Sequence, residues 1–100
     1  MTTKVTFQDD AATLTVEGRF STDEAQGFLD AAESATSKKI SSLVLELGAL
    51  EFISSAGIRC FVMLLKTCAQ KGISLKLRNL TPQLKDILTL TSLLDKFDVE

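Results

Sequence analysis

The spacing of apolar residues changes several times along this 100-residue chain, and the order of the changes limits the folds available to it. Residues 4–8 and 13–17 alternate apolar and polar side chains, as half-buried strands do. Helical spacing follows over 22–37, and a short apolar run at 43–47 predicts a strand. A second helix over 55–71 and a second strand over 73–77 repeat this order. The predicted order is strand, strand, helix, strand, helix, strand, helix. It favours an α/β fold with a mixed central sheet, opened by an N-terminal β-hairpin and followed by alternating helices and parallel strands.

Turn and capping residues mark where several of these elements begin and end. Asp9 to Ala12 are predicted to form a hairpin turn between the first two strands. Ser21 and Glu24 have the spacing of a capping box, which predicts the start of the first helix. Gly72 suits the left-handed position at the end of a second helix, predicted over 55–71. These signals place the boundaries to within a few residues.

The second half of the chain carries the strands and helix that complete the sheet. Residues 43–47 are almost all apolar, which predicts a central strand covered on both faces. Residues 73–77 alternate and predict another strand. Thr81 and Pro82 supply a cap and a proline at the first position of the last helix. The tail over 93–99 has enough apolar residues to pack against the rest.

Composition and charge exclude several classes of function. The chain has 11 basic and 13 acidic residues, a net charge of −2, so we expect no direct nucleic acid binding. No apolar run approaches the roughly 18 to 20 residues of a membrane span, and the polar start is no signal peptide. We therefore expect a cytoplasmic protein without membrane insertion. A chain of this length predicts one domain over residues 1–100.

The absence of histidine removes imidazole acid–base catalysis, serine–histidine and cysteine–histidine pairs, and imidazole metal sites. Cys60 and Cys68 fall in one predicted helix, about 12 Å apart, beyond the roughly 7 Å reach of a disulfide. We expect both to be reduced thiols. No glycine-rich phosphate loop with its lysine is present. The sequence thus predicts a protein that is not an enzyme, with no catalytic residues, no cofactor and no metal site.

The second predicted helix has one strongly apolar face. At about 100° per residue, the side chains expected to face the sheet are Ile58, Phe61, Val62, Leu65, Cys68 and Ala69. Cys60 falls at the edge of this face, and Arg59 and Met63 lie on the polar side. Met63 is either a lone surface methionine or a flexible apolar contact for a partner, and the sequence leaves both alternatives open.

Two adjacent hydroxyls, Ser54 and Ser55, stand where a strand is expected to pass into this helix. Serines at such a junction either cap the helix or offer a hydroxyl to a kinase. Serine is among the best N-cap residues, because its oxygen accepts an amide hydrogen of the first turn. A capping role accounts for only one of the two serines, and we assign it to Ser54. The second serine is then not explained by capping.

Three stretches of the chain, in their order and spacing, resemble the STAS family. They are Val16 to Phe20 (Val-Glu-Gly-Arg-Phe), Leu43 to Ile58, and Asn79 to Leu93. The resemblance is strongest to the bacterial anti-sigma factor antagonists and implies a STAS-like fold. Such proteins carry an Asp, a phosphorylated Ser, a Ser or Thr, and a Gly at the start of the helix. Aligned on Gly57, the phosphoacceptor falls on Ser55, with Ser54 as the second choice.

This resemblance also implies a mode of action. The unphosphorylated protein would bind an anti-sigma factor with serine kinase activity and so release a sigma factor. Phosphorylation at Ser55 would break that complex, and a serine phosphatase would restore it. The expected partner-binding residues are Ser54, Ser55, Gly57, Arg59 and Met63, the last two on helix geometry alone.

The alternative to this switch is a constitutive STAS subunit of a larger complex, such as a lipid transporter. It would have the same fold and no phosphate cycle. The double serine favours the switch, because a constitutive subunit does not require it.

Overall fold

The computed structural model describes all 100 residues. The first two strands, β1 (Thr2–Gln8) and β2 (Ala11–Phe20), form the predicted antiparallel hairpin. Its turn is only Asp9 and Asp10, with Asp9 in the left-handed conformation that an aspartate tolerates. Both strands are longer than predicted: β1 begins two residues earlier, at Thr2, and β2 is extended at both ends by pairing with β1 and β4.

The remaining four strands form parallel pairs: two of them pair with β2, and the other two lie further out. The strand β3 (Ser42–Glu46) pairs with the first half of β2, and β4 (Leu50–Ile53) pairs with the second half of β2 on the same edge. Outside β3 lie β5 (Ser74–Arg78) and then β6 (Asp98–Val99). The predicted mixed sheet with parallel central strands is confirmed. The strands β4 and β6 are additions, and they are only four and two residues long.

Three helices connect these strands: α1 (Ala25–Thr36), α2 (Ser55–Lys71) and α3 (Pro82–Leu90). Gly72 ends α2 with a φ of 70°, in the predicted left-handed conformation. The hydroxyl of Thr81 accepts a hydrogen bond from the Leu84 amide at 3.3 Å and caps α3, as predicted. We find no helix whose length and hydropathy would let it span a bilayer.

The predicted capping box at the first helix does not form. Ser21 makes no side-chain capping bond, and residues Thr22–Glu24 form a short 3-10 helix before α1 begins. The Glu24 carboxylate instead lies 3.5 Å from the N-terminal ammonium of Met1. The reason is tertiary, since the end of β2 and the start of β1 bring Met1 to this place. A second 3-10 helix, Leu94–Lys96, precedes β6.

All the buried apolar side chains belong to one core on one face of the sheet. Leu14, Leu45 and Leu77 are paired across β2, β3 and β5 and are fully buried. Val44 and Glu46 point to the opposite face and are only partly buried. The prediction that 43–47 is covered on both faces is therefore wrong, because no helix packs on the second face to cover the strand there.

The buried face of α2 also differs from the prediction. Phe61 and Cys68 are buried as expected, but so are Cys60 and Leu64. Of the other residues predicted to face the sheet, Ala69 is exposed and three are half-buried, namely Ile58, Val62 and Leu65. The cause is that α2 packs against α1 as well as against the sheet, which turns its buried side toward α1.

Three aromatic rings join the sheet to α1 and α2. Phe20 at the end of β2, Phe28 in α1 and Phe61 in α2 are fully buried. Their ring centroids lie 5.1, 6.0 and 5.4 Å apart, within the range of favourable aromatic pairs. This cluster lies at the end of the sheet where β2 finishes, and it supports the first half of α2.

The aromatic cluster predicts a large stability difference between two positions on α2. Phe61→Ala should lower the free energy of unfolding by about 3 to 5 kcal/mol, because it removes a buried ring and leaves a cavity. Met63→Ala, on the exposed side of the same helix, should change it by roughly 0.5 kcal/mol or less. Urea unfolding of both variants measures the difference. Equal losses would show that the cluster does not carry the packing of α2.

Candidate functional site

A network of hydrogen bonds holds the turn that leads from β3 to the serine pair. The Glu46 carboxylate accepts from the Gly48 amide at 3.0 Å, from Arg78 Nε at 3.0 Å and from Asn79 Nδ2 at 2.9 Å. Partial burial acts to raise the pKa of Glu46, but these hydrogen bonds and the Arg78 charge together lower it below its usual value. The ends of β3 and β5 are thereby tied to the turn before β4.

Ser54 is the N-cap of α2, as predicted. Its hydroxyl oxygen accepts a hydrogen bond from the Gly57 amide at 3.1 Å. Its backbone amide donates to the Phe20 carbonyl at 2.8 Å, and its carbonyl accepts from Ile58 at 3.0 Å. Three hydrogen bonds therefore fix this residue between the sheet and the helix. Its hydroxyl is engaged, which makes Ser54 the poorer candidate for modification.

Ser55 is the first residue of α2 and is exposed. Its hydroxyl makes no hydrogen bond within the chain. The amides of Ser55 and Ala56 are first-turn donors that have no acceptor in the helix ladder. An anion on the Ser55 oxygen would therefore lie at the positive end of the helix dipole, close to unpaired amide groups.

Gly57 has a different role from the predicted partner contact, because it is buried. A Cβ atom at this position would lie 2.7 Å from Ile53 Cγ1 and 3.0 Å from the Phe20 ring. The missing side chain lets the first turn of α2 approach β2 and β4 closely. Gly57 thus positions the two serines from beneath and is not part of the accessible surface.

Arg59 and Met63 are both exposed on α2, but at different distances from the serines. Arg59 is four residues beyond Ser55, about one turn or 6 Å along the axis. Met63 is one turn further and lines a shallow groove against Leu29 of α1. Its side chain is 47% exposed. The structure therefore groups Ser54, Ser55 and Arg59, and places Met63 at the far end of this surface.

An exposed aromatic side chain next to the serine pair was missed by the sequence reasoning. Phe52 of β4 is 41% exposed, and the Arg19 guanidinium lies 4.4 Å from the centre of its ring. The available signal was the four-residue stretch from Leu50 to Ile53, three of whose side chains are apolar, and it is too short to identify a strand without knowing that it pairs with β2. Phe52 and Arg19 extend the candidate surface across the end of the sheet.

The two thiols are separate from this surface. Cys60 and Cys68 are free and buried. Burial raises the pKa of both thiols, while the nearby charges of Arg59 and Lys71 act in the opposite direction. A neutral, buried thiol is a poor nucleophile, so both cysteines belong to the packing of α2. No group of three or more acidic or cysteine side chains is arranged to hold a metal ion.

A family model of the STAS domain matches residues 2–100. The chain belongs to the STAS domain family. No curated protein matches this STAS domain at a significant level.

Solved structures with the fold of this STAS domain include anti-sigma factor antagonists. One, from Mycobacterium paratuberculosis, is 21% identical with a TM-score of 0.86, over 98% of this chain and 83% of that chain. SpoIIAA in its unphosphorylated form is 9% identical with a TM-score of 0.78, over 99% and 87%. The phosphorylated SpoIIAA of Bacillus is 10% identical with a TM-score of 0.77, over 99% and 91%. At these identities the likeness establishes the fold.

The close packing at Gly57 predicts opposite effects for two glycine substitutions in helices. Gly57→Ala should destabilise the STAS domain by about 1 to 3 kcal/mol, because the new Cβ overlaps Ile53 and Phe20. Gly27→Ala in α1 meets no atom within 4 Å and should stabilise by up to about 1 kcal/mol through helix propensity. Thermal and urea unfolding measure both. A stabilising Gly57→Ala would contradict the packing argument.

The lowered pKa of Glu46 predicts a pH-dependent contribution to stability. A carboxyl with a lowered folded-state pKa stabilises the fold above its ordinary pKa of 4.5, and this contribution is lost as the pH falls through the folded-state value. Glu46→Gln should therefore be less stable than the wild type at neutral pH. The difference should shrink steadily as the pH falls below about 4.5.

Urea unfolding over a pH series measures this difference. Glu33→Gln, at an exposed position on α1, is the matched control and should follow the wild type at every pH. A Glu46→Gln difference that stays constant with pH would show that the carboxylate charge has no role in holding the turn.

Proposed function

We propose that this protein is an anti-sigma factor antagonist controlled by phosphorylation at Ser55. The observation that carries the proposal is the division between the two serines. The Ser54 hydroxyl caps α2, and the Ser55 hydroxyl beside it is exposed and unengaged. Family membership supplies the context, and structures of anti-sigma factor antagonists share the fold.

In this proposal the protein is a binding partner and a substrate, not an enzyme. The unmodified form binds a cytoplasmic anti-sigma factor that is also a serine kinase, and a sigma factor is released. The kinase phosphorylates Ser55 and the complex separates. A serine phosphatase removes the phosphate and restores binding. The exposed residues Ser55, Arg59 and Phe52 form the centre of the contact, with Met63 at its edge.

The local physics indicates that the phosphate changes affinity and leaves the fold intact. Phosphoserine adds about −1.5 to −2 charges and three acceptor oxygens. At the first residue of α2 these oxygens meet unpaired amides and the helix dipole, and Arg59 adds a positive charge one turn away. SpoIIAA in both phosphorylation states resembles this chain to nearly the same degree, which supports a fold that tolerates the modification.

The phosphate is less favourable in a complex with a partner whose surface fits the bare hydroxyl than it is on the free protein. A doubly charged, strongly hydrated group is costly to bury at an interface without matching donors. The same group costs little while it remains in water on the free protein. Dissociation of the complex follows from this difference between the free and bound states.

Incubation with ATP and candidate anti-sigma factor kinases, followed by intact mass and site mapping, tests the proposal. One phosphate should appear, on Ser55. Ser55→Ala should remain unmodified and bind the kinase, whereas Ser55→Asp should bind at least about tenfold more weakly, a loss of about 1.4 kcal/mol. Ser54→Ala is the matched control: it should lose about 1 kcal/mol of stability with its cap and still be phosphorylated.

Two results would contradict this function. If no phosphate is found and Ser55→Asp binds the partner as tightly as the wild type, the constitutive-subunit alternative replaces the switch. If the phosphorylated protein loses the helical signal of α2, the phosphate acts by melting the helix and not at the interface.

A further inference from the structure

A groove between β4 and α3 is lined in part by Phe52 and Ile53, the two residues that precede the serine pair. Its volume is about 460 Å³, compared with about 190 Å³ for the groove between α1 and α2. Its apolar lining consists of Leu50, Phe52, Ile53, Leu84 and Ile87. We call it the β4–α3 groove. Its volume falls within the range of clefts that bind ligands.

The register of the sheet explains why this groove exists. On the same edge of β2, β3 is followed by β4, and β5 is the outer neighbour of β3. However, β5 ends at Arg78, opposite Glu46, and the chain turns away at Asn79 with a φ of 57°. No strand therefore continues beside β4, which pairs with β2 alone.

Ile53 presents unpaired backbone groups on this free edge. The Ser54 amide donates to Phe20 of β2, and successive residues of a strand direct their backbone groups to opposite edges. The N–H and C=O of Ile53 therefore point away from β2. Because β2 is the only strand that pairs with β4, the sheet offers neither group a partner. Ile53 lines the β4–α3 groove, so a segment lying in the groove can supply these groups with a donor and an acceptor.

The charges around the groove favour a basic occupant. Glu51 and Asp86 both line it, and neither takes part in an ion pair. Arg19 is the only cation in the lining, and its guanidinium rests on the Phe52 ring. Two free carboxylates beside an apolar floor match a segment that carries both aliphatic and basic side chains.

An irregularity in β4 limits how long a paired segment can be. Gly18 pairs with Leu50 and Arg19 with Phe52, so Glu51 is an extra residue on β4, as in a β-bulge. Bulges interrupt the regular edge and discourage indefinite strand addition. A long added strand, including one from a second copy of this chain, does not match this edge, whereas a short segment does.

We propose that the β4–α3 groove binds a short extended segment of a partner protein with alternating aliphatic and basic side chains. Ile53 exchanges backbone hydrogen bonds with the segment, an aliphatic side chain occupies the apolar floor, and basic side chains contact Glu51 and Asp86. The groove gives the protein a second contact next to the serine pair. This inference is independent of the phosphate cycle, because it uses the unmodified chain.

The test uses a defined probe, a five-residue peptide of alternating lysine and isoleucine with blocked ends, titrated into the isotopically labelled protein and followed by NMR. Binding should be saturable, and the largest shifts should occur at the amides of Phe52 and Ile53. Exchange of the Ile53 amide hydrogen should slow. A peptide with glutamate in place of lysine should bind about two- to fivefold more weakly or worse, since it places like charges together.

Protein variants and a modified peptide complete the test. Glu51→Lys should weaken binding of the lysine peptide about two- to fivefold, whereas Glu33→Lys, also at an exposed position but on α1 and outside the groove, should not. Ser55→Ala should bind the peptide as the wild type does, which separates this test from that of the phosphate switch. A peptide methylated on its backbone nitrogens should bind more weakly and therefore protect the Ile53 amide less, because it can no longer donate a hydrogen bond to the Ile53 carbonyl.

Several outcomes would overturn the proposal. The first is a lack of saturable binding at millimolar peptide, and the second is a set of shifts centred outside the groove. Equal binding of the methylated peptide would show a side-chain pocket of the small-molecule kind without strand pairing. Shifts at the groove that depend on protein concentration alone would show a contact between copies of this chain.

Discussion

The close approach of α2 to the end of the sheet is the interaction on which the site depends. Gly57 makes it possible, because any side chain there would overlap Ile53 and Phe20. Phe20 in turn belongs to the aromatic cluster that joins β2 to α1 and α2. The first turn of α2 is therefore positioned by the core, and the two serines at the junction take their places from it.

This arrangement gives two chemically identical neighbours different roles. Ser54 is fixed by three hydrogen bonds to the sheet and the helix. Ser55, one residue later, is exposed at the positive end of the helix, where a negative charge is favourable. A phosphate at this position would be tolerated by the fold and would be costly at an interface. The proposed switch follows from that contrast and requires no large rearrangement.

The sheet register shapes the surroundings of the serines. The Glu46 network ties the ends of β3 and β5 to the turn before β4, so the position of β4 depends on both strands. Because β5 ends where β3 ends, β4 has a free edge and a groove beside it. Phe52 lines the groove and precedes Ser55 by three residues, so one partner can contact both the groove and Ser55.

Periodicity and capping chemistry in the sequence determined the order of the four long strands and three α-helices, the parallel centre of the sheet, the span of α2 with its end at Gly72, and the cap at Ser54. These are local properties, set by side-chain spacing and by hydrogen bonds a few residues apart. The tertiary structure decided the rest. The short stretch Leu50–Ile53 became a strand because it pairs with β2, and the buried side of α2 came to include Cys60 and Leu64. The second face of β3 has no helix against it, and Gly57 is buried. These features depend on which segments come into contact in the fold. Contacts between residues far apart in sequence produce no periodic pattern in the chain, so they could not be predicted from it.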